Sequence, residues 1–468
     1  MDRAYLDIHW LTDTNFSGGH MLHTLKEKYY QLPYRFRHGY KTLKKTTAFI
    51  QEFEYAEKSA VLQMQFQRLQ RIVNYAWKIK GYHELWETAN FSPDKLKSID
   101  DIQKIPFITK EIIRDNYKKF SIPKRWNVQY VSTGGSMGIP MGFYEKLENT
   151  HIENAFIYDI YKRVHLDFSI DEKSFTLRGK ALKNIYESNP KGINLSSYNI
   201  NETTVKEYIA LIDKYKYRYL KAYPSSLYQV AKLTEDNKFV MQHHFKAIML
   251  GSEPLFDFQK ELIQRVFNAP IAHWYGHSEK AVLAANCEHS YKFHVYPQYG
   301  ITEVVDKNGN YVKEGETGEI IGTSFWNFAT PFVRYRTMDY AELGANKCAE
   351  CGRNYQLLNR IEGREQDFVI DMQGNRITLT ALIFAQHFIC FGRIKQMQIK
   401  QTEKGKISVL VVPTKDYNEK DSEELLAKIK TAATGGLSVE IKVVDSIEPL
   451  RNGKVRFLDQ RLDLTLYE

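Results

Sequence analysis

The sequence predicts an α/β protein with a large layered α/β domain followed by a small α+β domain. Between residues 240 and 340, strand-like runs such as 245–251 and 318–325 alternate with helical stretches such as 257–267, a pattern typical of layered α/β domains. After residues 360–375 the pattern changes to alternating strands with one helical run. The length of 468 residues also exceeds what one hydrophobic core usually organises.

These patterns divide the chain into an N-terminal extension at 1–55, the large domain at 56–365 and a small domain at 366–468. We predict a helix at 57–80, because apolar residues recur there at spacings of four and three. They are Leu62, Phe66, Leu69, Val73 and Ala76. In the small domain we predict strands at 394–401, 407–412 and 439–444 and a helix at 422–431.

The composition is that of a folded globular protein, with 43% hydrophobic, 13% aromatic and 26% charged residues. The N-terminal residues lack a basic start followed by an apolar run, and no apolar stretch reaches the roughly 18 residues of a membrane span. We therefore expect a cytoplasmic protein, with the inner face of the membrane as an alternative location.

The formal net charge of +9 is concentrated in residues 21–50, which hold seven basic residues and one acid. Nucleic-acid binding is not expected, because no recognition helix or single-strand-binding signature accompanies this segment. Its interleaved tyrosines and phenylalanine are compatible with peripheral contact to an anionic membrane. A solvated helical extension packed on the main domain is the favoured interpretation.

A glycine-rich segment at 131–145 lies between two predicted extended stretches. Three glycines and three hydroxyl residues occupy seven consecutive positions, namely Ser132, Thr133, Gly134, Gly135, Ser136 and Gly138 around Met137. Backbone N–H groups of such loops can surround phosphate oxygens. It is not a Walker loop, because no Gly-Lys-Ser/Thr follows. On these residues alone, a phosphate loop and a plain glycine-rich turn are both open.

Three of the four cysteines of the chain, with a histidine, indicate a metal site. Cys348 and Cys351 form a CxxC pair, and Cys287 and His294 lie upstream of them. Three thiolates and one imidazole form a closed tetrahedral set suited to a structural Zn²⁺. His289 is a rival ligand. Reduced cysteines in a β-hairpin are the alternative interpretation, and a redox CxxC is disfavoured because no thioredoxin-like context surrounds it.

Further motifs follow in order at 251–254 (GSEP), 273–279 (HWYGHSE), 330–343 (TPFVRYRTMDYAEL), 361–367 (IEGREQD) and 449–456 (PLRNGKVR). This series resembles the adenylate-forming superfamily of acyl-CoA synthetases and adenylation domains. Within it the chain is most similar to the phenylacetate-CoA ligase family, in the branch associated with capsular polysaccharide biosynthesis. The resemblance covers nearly the whole chain and implies the two-domain adenylate-forming fold.

The resemblance also implies roles for individual residues. ATP would be bound by the six glycine-rich residues named above and by Gly251, Ser252, Glu253, Tyr275, Gly276, Asp339 and Arg364. Of these, Tyr275 would stack on adenine and Asp339 would accept hydrogen bonds from the ribose. Glu279 would hold Mg²⁺, and Lys454 of the small domain would contact the carboxylate and the α-phosphate. Gln366 would be the hinge.

The implied reaction is ATP-dependent activation of a small-molecule carboxylate to an acyl-adenylate, followed by transfer to a thiol, such as that of coenzyme A, or to an amine. Two departures from the family motifs bear on this activity. Met137 replaces a usual Thr, and Met338 replaces a usual Gly, a change that we expect to be tolerable only if φ is negative there. A catalytically weakened nucleotide-binding scaffold of the same fold is therefore the alternative.

Overall fold

The structure, a computed structural model, describes residues 28–29, 32–132, 141–178, 182, 184–197, 200–364, 368–379, 382–383, 388, 390, 393–433, 435–448, 456–463 and 466. The described α-helices are α1 Tyr40–Phe53, α2 Lys58–Ala76, α3 Lys80–Thr88, α4 Lys110–Asn116, α5 Asn149–Val164, α6 Glu202–Tyr215, α7 Pro224–Asp236, α8 Asp257–Phe267 and α9 Glu419–Ala432. Short 3₁₀ turns lie at Tyr34–Phe36, Pro93–Lys95 and Ile99–Lys104.

The strands form one large sheet and several smaller ones. In the first half of the chain they are β1 Val128–Ser132, β2 Gly142–Lys146, β3 Ser174–Leu177, β4 Tyr186–Asn189, β5 Gly192–Leu195, β6 Tyr219–Ala222, β7 Ala247–Gly251, β8 Ile271–Gly276, β9 Leu283–Ala285 and β10 Phe293–Val295. The later strands are β11 Gly300–Val305, β12 Thr317–Ser324, β13 Tyr335–Leu343, β14 Leu357–Arg364, β15 Phe368–Ile370, β16 Arg376–Thr378, β17 Ile394–Glu403, β18 Lys406–Pro413, β19 Ser438–Val443 and β20 Leu458–Gln460.

The large sheet has twelve strands in the order β11-β12-β13-β14-β10-β9-β8-β7-β6-β3-β5-β4. Strands β5, β3, β6, β7 and β8 run parallel, and the remaining pairs are antiparallel. Strands β1 and β2 form a separate hairpin. The small domain has its own four-stranded sheet, in the order β19-β18-β17-β20.

Helices cover both faces of the parallel strands, which is why these strands are apolar on both sides. Phe175, Leu220 and Ile248 pack with α6, α7 and α8 on one face. Met249 and Ala272 pack with α5 on the other face. The predicted α/β class is confirmed, with a large α/β part and a smaller C-terminal α+β part.

The predicted helices are present, with shifted ends. Helix α8 spans 257–267 as predicted, whereas α2 ends at Ala76 and a second helix begins at Lys80. Leu62 was expected on the buried face of α2 but is 38% exposed, because Val61 and Met64 point into the core instead.

The described part of the basic N-terminal segment packs on the large domain. Tyr34 is buried, its backbone N–H donates to Asp171 Oδ1 at 2.9 Å, and its hydroxyl lies 2.8 Å from His151 Nδ1. Arg37 forms an ion pair with Asp171 at 3.4 Å. These contacts agree with a packed extension. Within the described residues, no helix has the length and apolarity needed to span a membrane.

Candidate active site and metal centre

The predicted nucleotide residues of the GSEP motif lie where β7 ends, at the carboxyl edge of the parallel strands. Ligands of α/β sheets usually bind at this edge. Ser252 has φ +69°, a left-handed backbone that is rare outside glycine and clusters at functional turns. The Glu253 carboxylate accepts a 3.0 Å hydrogen bond from Ser225 N, in the first turn of α7. Glu253 therefore also stabilises the helix N-terminus.

Tyr275 and Asp339 come together although 64 residues separate them. The Tyr275 hydroxyl donates to Asp339 Oδ2 at 2.7 Å. Asp339 is buried on β13, and its backbone pairs with that of Arg364 on β14. The carboxylate predicted to bind the ribose and the ring predicted to stack on adenine thus form one unit beside the end of β8.

Glu279 is buried three residues beyond the end of β8. His277 Nδ1 donates to Glu279 Oε2 at 3.0 Å, and the Tyr335 hydroxyl donates to Oε1 at 2.9 Å. Burial by itself raises the pKa of Glu279, but the neighbouring His277 and Tyr335 outweigh it and lower this pKa to about 2. Glu279 is therefore a fixed carboxylate at neutral pH.

The glycine-rich segment connects strands β1 and β2 in the chain, and strand β2 contacts the turn that carries Glu279. Glu145 on β2 accepts hydrogen bonds from Lys280 Nζ at 2.7 Å and from Gln129 Nε2 at 2.8 Å. Lys280 follows Glu279 directly in the chain, so that the base of the hairpin is tied to the Glu279 turn. The turn residues 133–140 themselves lie outside the described residues, and so does the Ser132 side chain.

Several other predicted positions also lie outside the described residues. They are Gln366, Lys454 and the side chain of Arg364. Their predicted roles as hinge, catalytic lysine and ribose ligand stay predictions.

Met338 adopts the backbone conformation in which we expected a non-glycine residue to be poorly tolerated. Its φ is +61°, in the left-handed region. Its backbone N–H donates to Glu319 Oε1 at 3.2 Å, and the next N–H, of Asp339, donates to Thr337 Oγ1 at 3.1 Å. These bonds hold the turn that presents Asp339, and the chain keeps this turn despite the strain of a Cβ atom. The condition under which we expected Met to be tolerable here, a negative φ, is therefore not met.

The four predicted zinc ligands converge. The ligand atoms of Cys287, His294, Cys348 and Cys351 all lie within 4.8 Å of one another. A tetrahedral zinc shell with ordinary bond lengths places its ligand atoms about 3.5–3.8 Å apart, and Cys351 Sγ lies 3.4 Å from His294 Nε2. The geometry is therefore close to that of a four-coordinate site.

The surroundings of the cluster also fit a cation. His294 Nδ1 donates to Lys292 O at 2.9 Å, which leaves Nε2 to face the sulfur atoms. Backbone N–H groups of His289 and Ser290 point at Cys287 Sγ, at 3.4 and 3.2 Å. Burial raises the pKa of the Cys287 thiol, so a nearby cation is needed to favour the thiolate. The imidazole of His294 belongs to the cluster, whereas His289 contributes a backbone N–H that points at Cys287 Sγ.

The sequence did not reveal the partners of Glu279. His277 stands within the HWYGHSE motif and Tyr335 within RYR, but neither was assigned a role. The His277 contact spans two residues and could have been suspected from spacing. The Tyr335 contact joins residues 56 positions apart and depends on the order of strands in the sheet.

Comparison with known proteins supports the family resemblance. The family described as CapK C-terminal domain matches residues 369–460. Protein CapK of Staphylococcus aureus is 26% identical over 417 residues, covering 86% of this chain and 89% of that protein. Phenylacetate-coenzyme A ligase of Aromatoleum evansii is 23% identical over 451 residues, covering 88% and 97%.

Among solved structures, the chain is similar to 2-hydroxyisobutyryl-CoA ligase in the postadenylation state, in complex with R3-HIB-AMP. The TM-score is 0.69 at 17% identity, with 87% of this chain and 91% of that chain covered. At this identity the likeness establishes the fold, and it confirms the fold predicted from the motifs.

Proposed function

Since the chain is a relative of the phenylacetate-CoA ligases and of CapK, with the fold of adenylate-forming ligases, we propose that it is an AMP-forming ligase. It activates a small-molecule carboxylate with ATP, giving an acyl-adenylate and pyrophosphate. It then transfers the acyl group to the thiol of coenzyme A or to an amine. The resemblance of the motifs to the branch associated with capsular polysaccharide biosynthesis, together with the similarity to CapK, favours an acid used in polysaccharide biosynthesis.

The observation that carries this proposal is the convergence of Glu279, Asp339 and Tyr275 at one sheet edge, next to strand β2. The candidate site contains two buried acids, and we assign a different role to each. Asp339, oriented by the Tyr275 hydroxyl, is placed to accept hydrogen bonds from sugar hydroxyls. Glu279, fixed as a carboxylate, is suited to a hard cation.

In the proposed reaction, a carboxylate oxygen of the substrate attacks the α-phosphorus of ATP, and the bond to pyrophosphate breaks. Mg²⁺ held by Glu279 would offset the charge of the phosphates. Residues 132–138 would bind the β- and γ-phosphates through backbone N–H groups. Lys454 would offset the charge that develops where the two anions meet, and rotation about Gln366 would then withdraw it for acyl transfer.

We also propose that the cluster of Cys287, His294, Cys348 and Cys351 holds one structural Zn²⁺. The supporting observations are the distances among the four ligand atoms and the N–H donors that face Cys287 Sγ. Four protein ligands complete a tetrahedral shell and leave no position for water. The site would join the β9–β10 turn to the loop before β14.

Met338 favours the alternative of a weakened nucleotide-binding scaffold, because a strained backbone precedes the ribose acid. The retained Tyr275–Asp339 hydrogen bond favours the enzyme.

ATP–pyrophosphate exchange over a panel of aryl acids, amino acids and uronic acids tests the proposal. We expect acid-dependent exchange that requires Mg²⁺. Tight ATP binding without exchange for any acid would favour the scaffold.

A further inference from the structure

A group of cationic and polar side chains lies at the carboxyl edge of the parallel strands, on the face covered by α5. Arg178 directly follows β3, and Lys221 lies on β6. Lys221 pairs with Thr176, two residues before Arg178, so both cations belong to the same face of the sheet. Lys221 Nζ lies 5.5 Å from the ring centroid of Tyr161 on α5.

Arg178 and Trp274 both approach the Tyr161 hydroxyl. We call Arg178, Lys221, Tyr161 and Trp274 the cationic pocket.

The cationic pocket adjoins the candidate nucleotide site. Strand pairing places Trp274 beside Gly251, at the end of β7. A Cβ atom at position 251 would lie only 2.8 Å from Trp274 Nε1, so glycine is required for this close approach. The indole of Trp274, one member of the cationic pocket, therefore stands against the GSEP turn.

Three donors of the cationic pocket are poorly satisfied by the described part of the chain. Arg178 Nε and Nη2 and Trp274 Nε1 are buried, and although Arg178 and Trp274 approach the Tyr161 hydroxyl, none of these three atoms makes a hydrogen bond of standard distance and angle with the described residues. Buried donors without partners are rare and usually mark an absent ligand or water. Burial, together with the like charges of Arg178 and Lys191, lowers the pKa of Lys221 to about 8. The pocket thus concentrates positive charge in a region that lacks a described counter-ion.

We propose that the cationic pocket binds a second anionic group on the acid that this protein activates, so that its preferred substrates are dianionic carboxylic acids. This inference rests on the proposed ligase function. The carboxylate that reacts loses its charge when the adenylate forms. Buried cations are better matched by a group that keeps its charge throughout the reaction, such as a second carboxylate held bidentately by Arg178.

The test uses pairs of acids that differ by one carboxylate, phenylacetate against 4-carboxyphenylacetate and hexanoate against adipate. Exchange is measured with the full-length protein and with the Arg178→Gln and Lys221→Met variants. Lys246→Gln, which removes an exposed cation just before β7, is the matched control. We expect the unsubstituted protein to prefer each diacid, and Arg178→Gln to lower kcat/KM for diacids about 10- to 100-fold. Monoacids should change less than about threefold.

Equal losses for diacids and monoacids, or no preference for diacids in the unsubstituted protein, would overturn the proposal. Arg178→Lys, which keeps the charge, should restore part of the preference and guards against misfolding of the Gln variant.

Calorimetric titration with each diacid in the absence of ATP separates this inference from the proposed function. Diacid binding that Arg178→Gln abolishes supports the cationic pocket even if no acid supports exchange, a result that would reject the ligase function alone. Absence of diacid binding to the unsubstituted protein overturns the inference.

Discussion

Replacing Met338 with glycine should stabilise the protein, because the residue occupies a backbone conformation that disfavours side chains. Its φ is +61°. A left-handed conformation costs a non-glycine residue about 1–2 kcal/mol. The substitution by glycine itself costs roughly 0.5–1 kcal/mol, because glycine makes the unfolded chain more flexible and therefore increases the entropy lost on folding. The Met338 side chain is 38% exposed, so little packing is lost. We expect a net gain of about 0.5–1 kcal/mol in the free energy of unfolding.

Differential scanning calorimetry of the transition that unfolds the large domain measures this gain. In a chain of this length the shift in Tm should be about 1–3 °C upward. Met338→Ala is the matched control, because it removes the same side chain but keeps the Cβ atom and its strain. We expect Met338→Ala to be near neutral or slightly destabilising. Equal stabilisation by Ala and Gly would show that the side chain, and not the backbone, is the source, and a destabilised Gly variant would refute the reasoning.

The same variant separates the two functional interpretations. The hydrogen bonds of the turn use the backbone N–H groups of residues 338 and 339, which glycine retains. Asp339 should therefore keep its position, and acid-dependent exchange should be unchanged or modestly faster if the protein is an active ligase. Exchange that appears only in Met338→Gly would instead identify the natural chain as a weakened scaffold.

Three further predictions concern the site residues. Lys454→Ala should lower acyl-adenylate formation by about two to four orders of magnitude while ATP binding stays nearly intact. Lys442→Ala in the same domain is the control. Unchanged exchange in the Lys454→Ala variant would remove Lys454 from the mechanism. Glu279→Gln should raise the Mg²⁺ concentration needed for half-maximal exchange, because one ligand charge is lost; an unaltered titration would leave Glu279 a structural role. Protein purified without added metal should contain one zinc per chain by elemental analysis. Cys348→Ser should lose the zinc and lower the Tm before adenylation decreases, whereas Cys390→Ser, outside the cluster, should retain the zinc. Negligible zinc in a fully stable protein would contradict the site.

The features that the sequence predicted well are those that depend on local pattern. Helix α8 was predicted with its observed ends because its apolar spacing is helical and it is bounded by Phe256 and Asn268. Helix α2 was predicted at the right position in the chain, but Leu62 was predicted to be buried at its start where Val61 is. A spacing rule cannot decide which of two adjacent apolar residues faces the core. Leu62 and Val61 both fit a helical stripe, and only the packing of neighbouring elements selects Val61.

The cluster of three cysteines and His294 shows the same limit within a single site. The residue types restricted the ligands to three cysteines and one of two histidines, since few other groups form a closed sulfur and nitrogen set. The choice between the histidines required tertiary structure. Strand β10 pairs His294 with Ala285 on β9, and this register directs the imidazole toward Cys351. His289 lies before that strand, where its backbone bonds to Cys287.

The distribution of charge around the sheet edge explains why the cationic pocket could not be predicted from sequence. Arg178 and Lys221 stand 43 positions apart in the chain, and each is one basic residue among 65. The two cations form one group only in the folded protein, where β3 and β6 are neighbouring strands and α5 packs on that face of the sheet. The acids Glu279 and Asp339, suited to a cation and a sugar, come from β8 and β13 and the turns beside them, whereas these cations come from β3 and β6. The indole of Trp274 on β8 lies against Gly251 at the end of β7, whereas β6 and β3, which carry the cations, lie on the other side of β7. Because the acids and the cations come from different strands, one sheet edge can present groups of both charge types to different parts of a ligand.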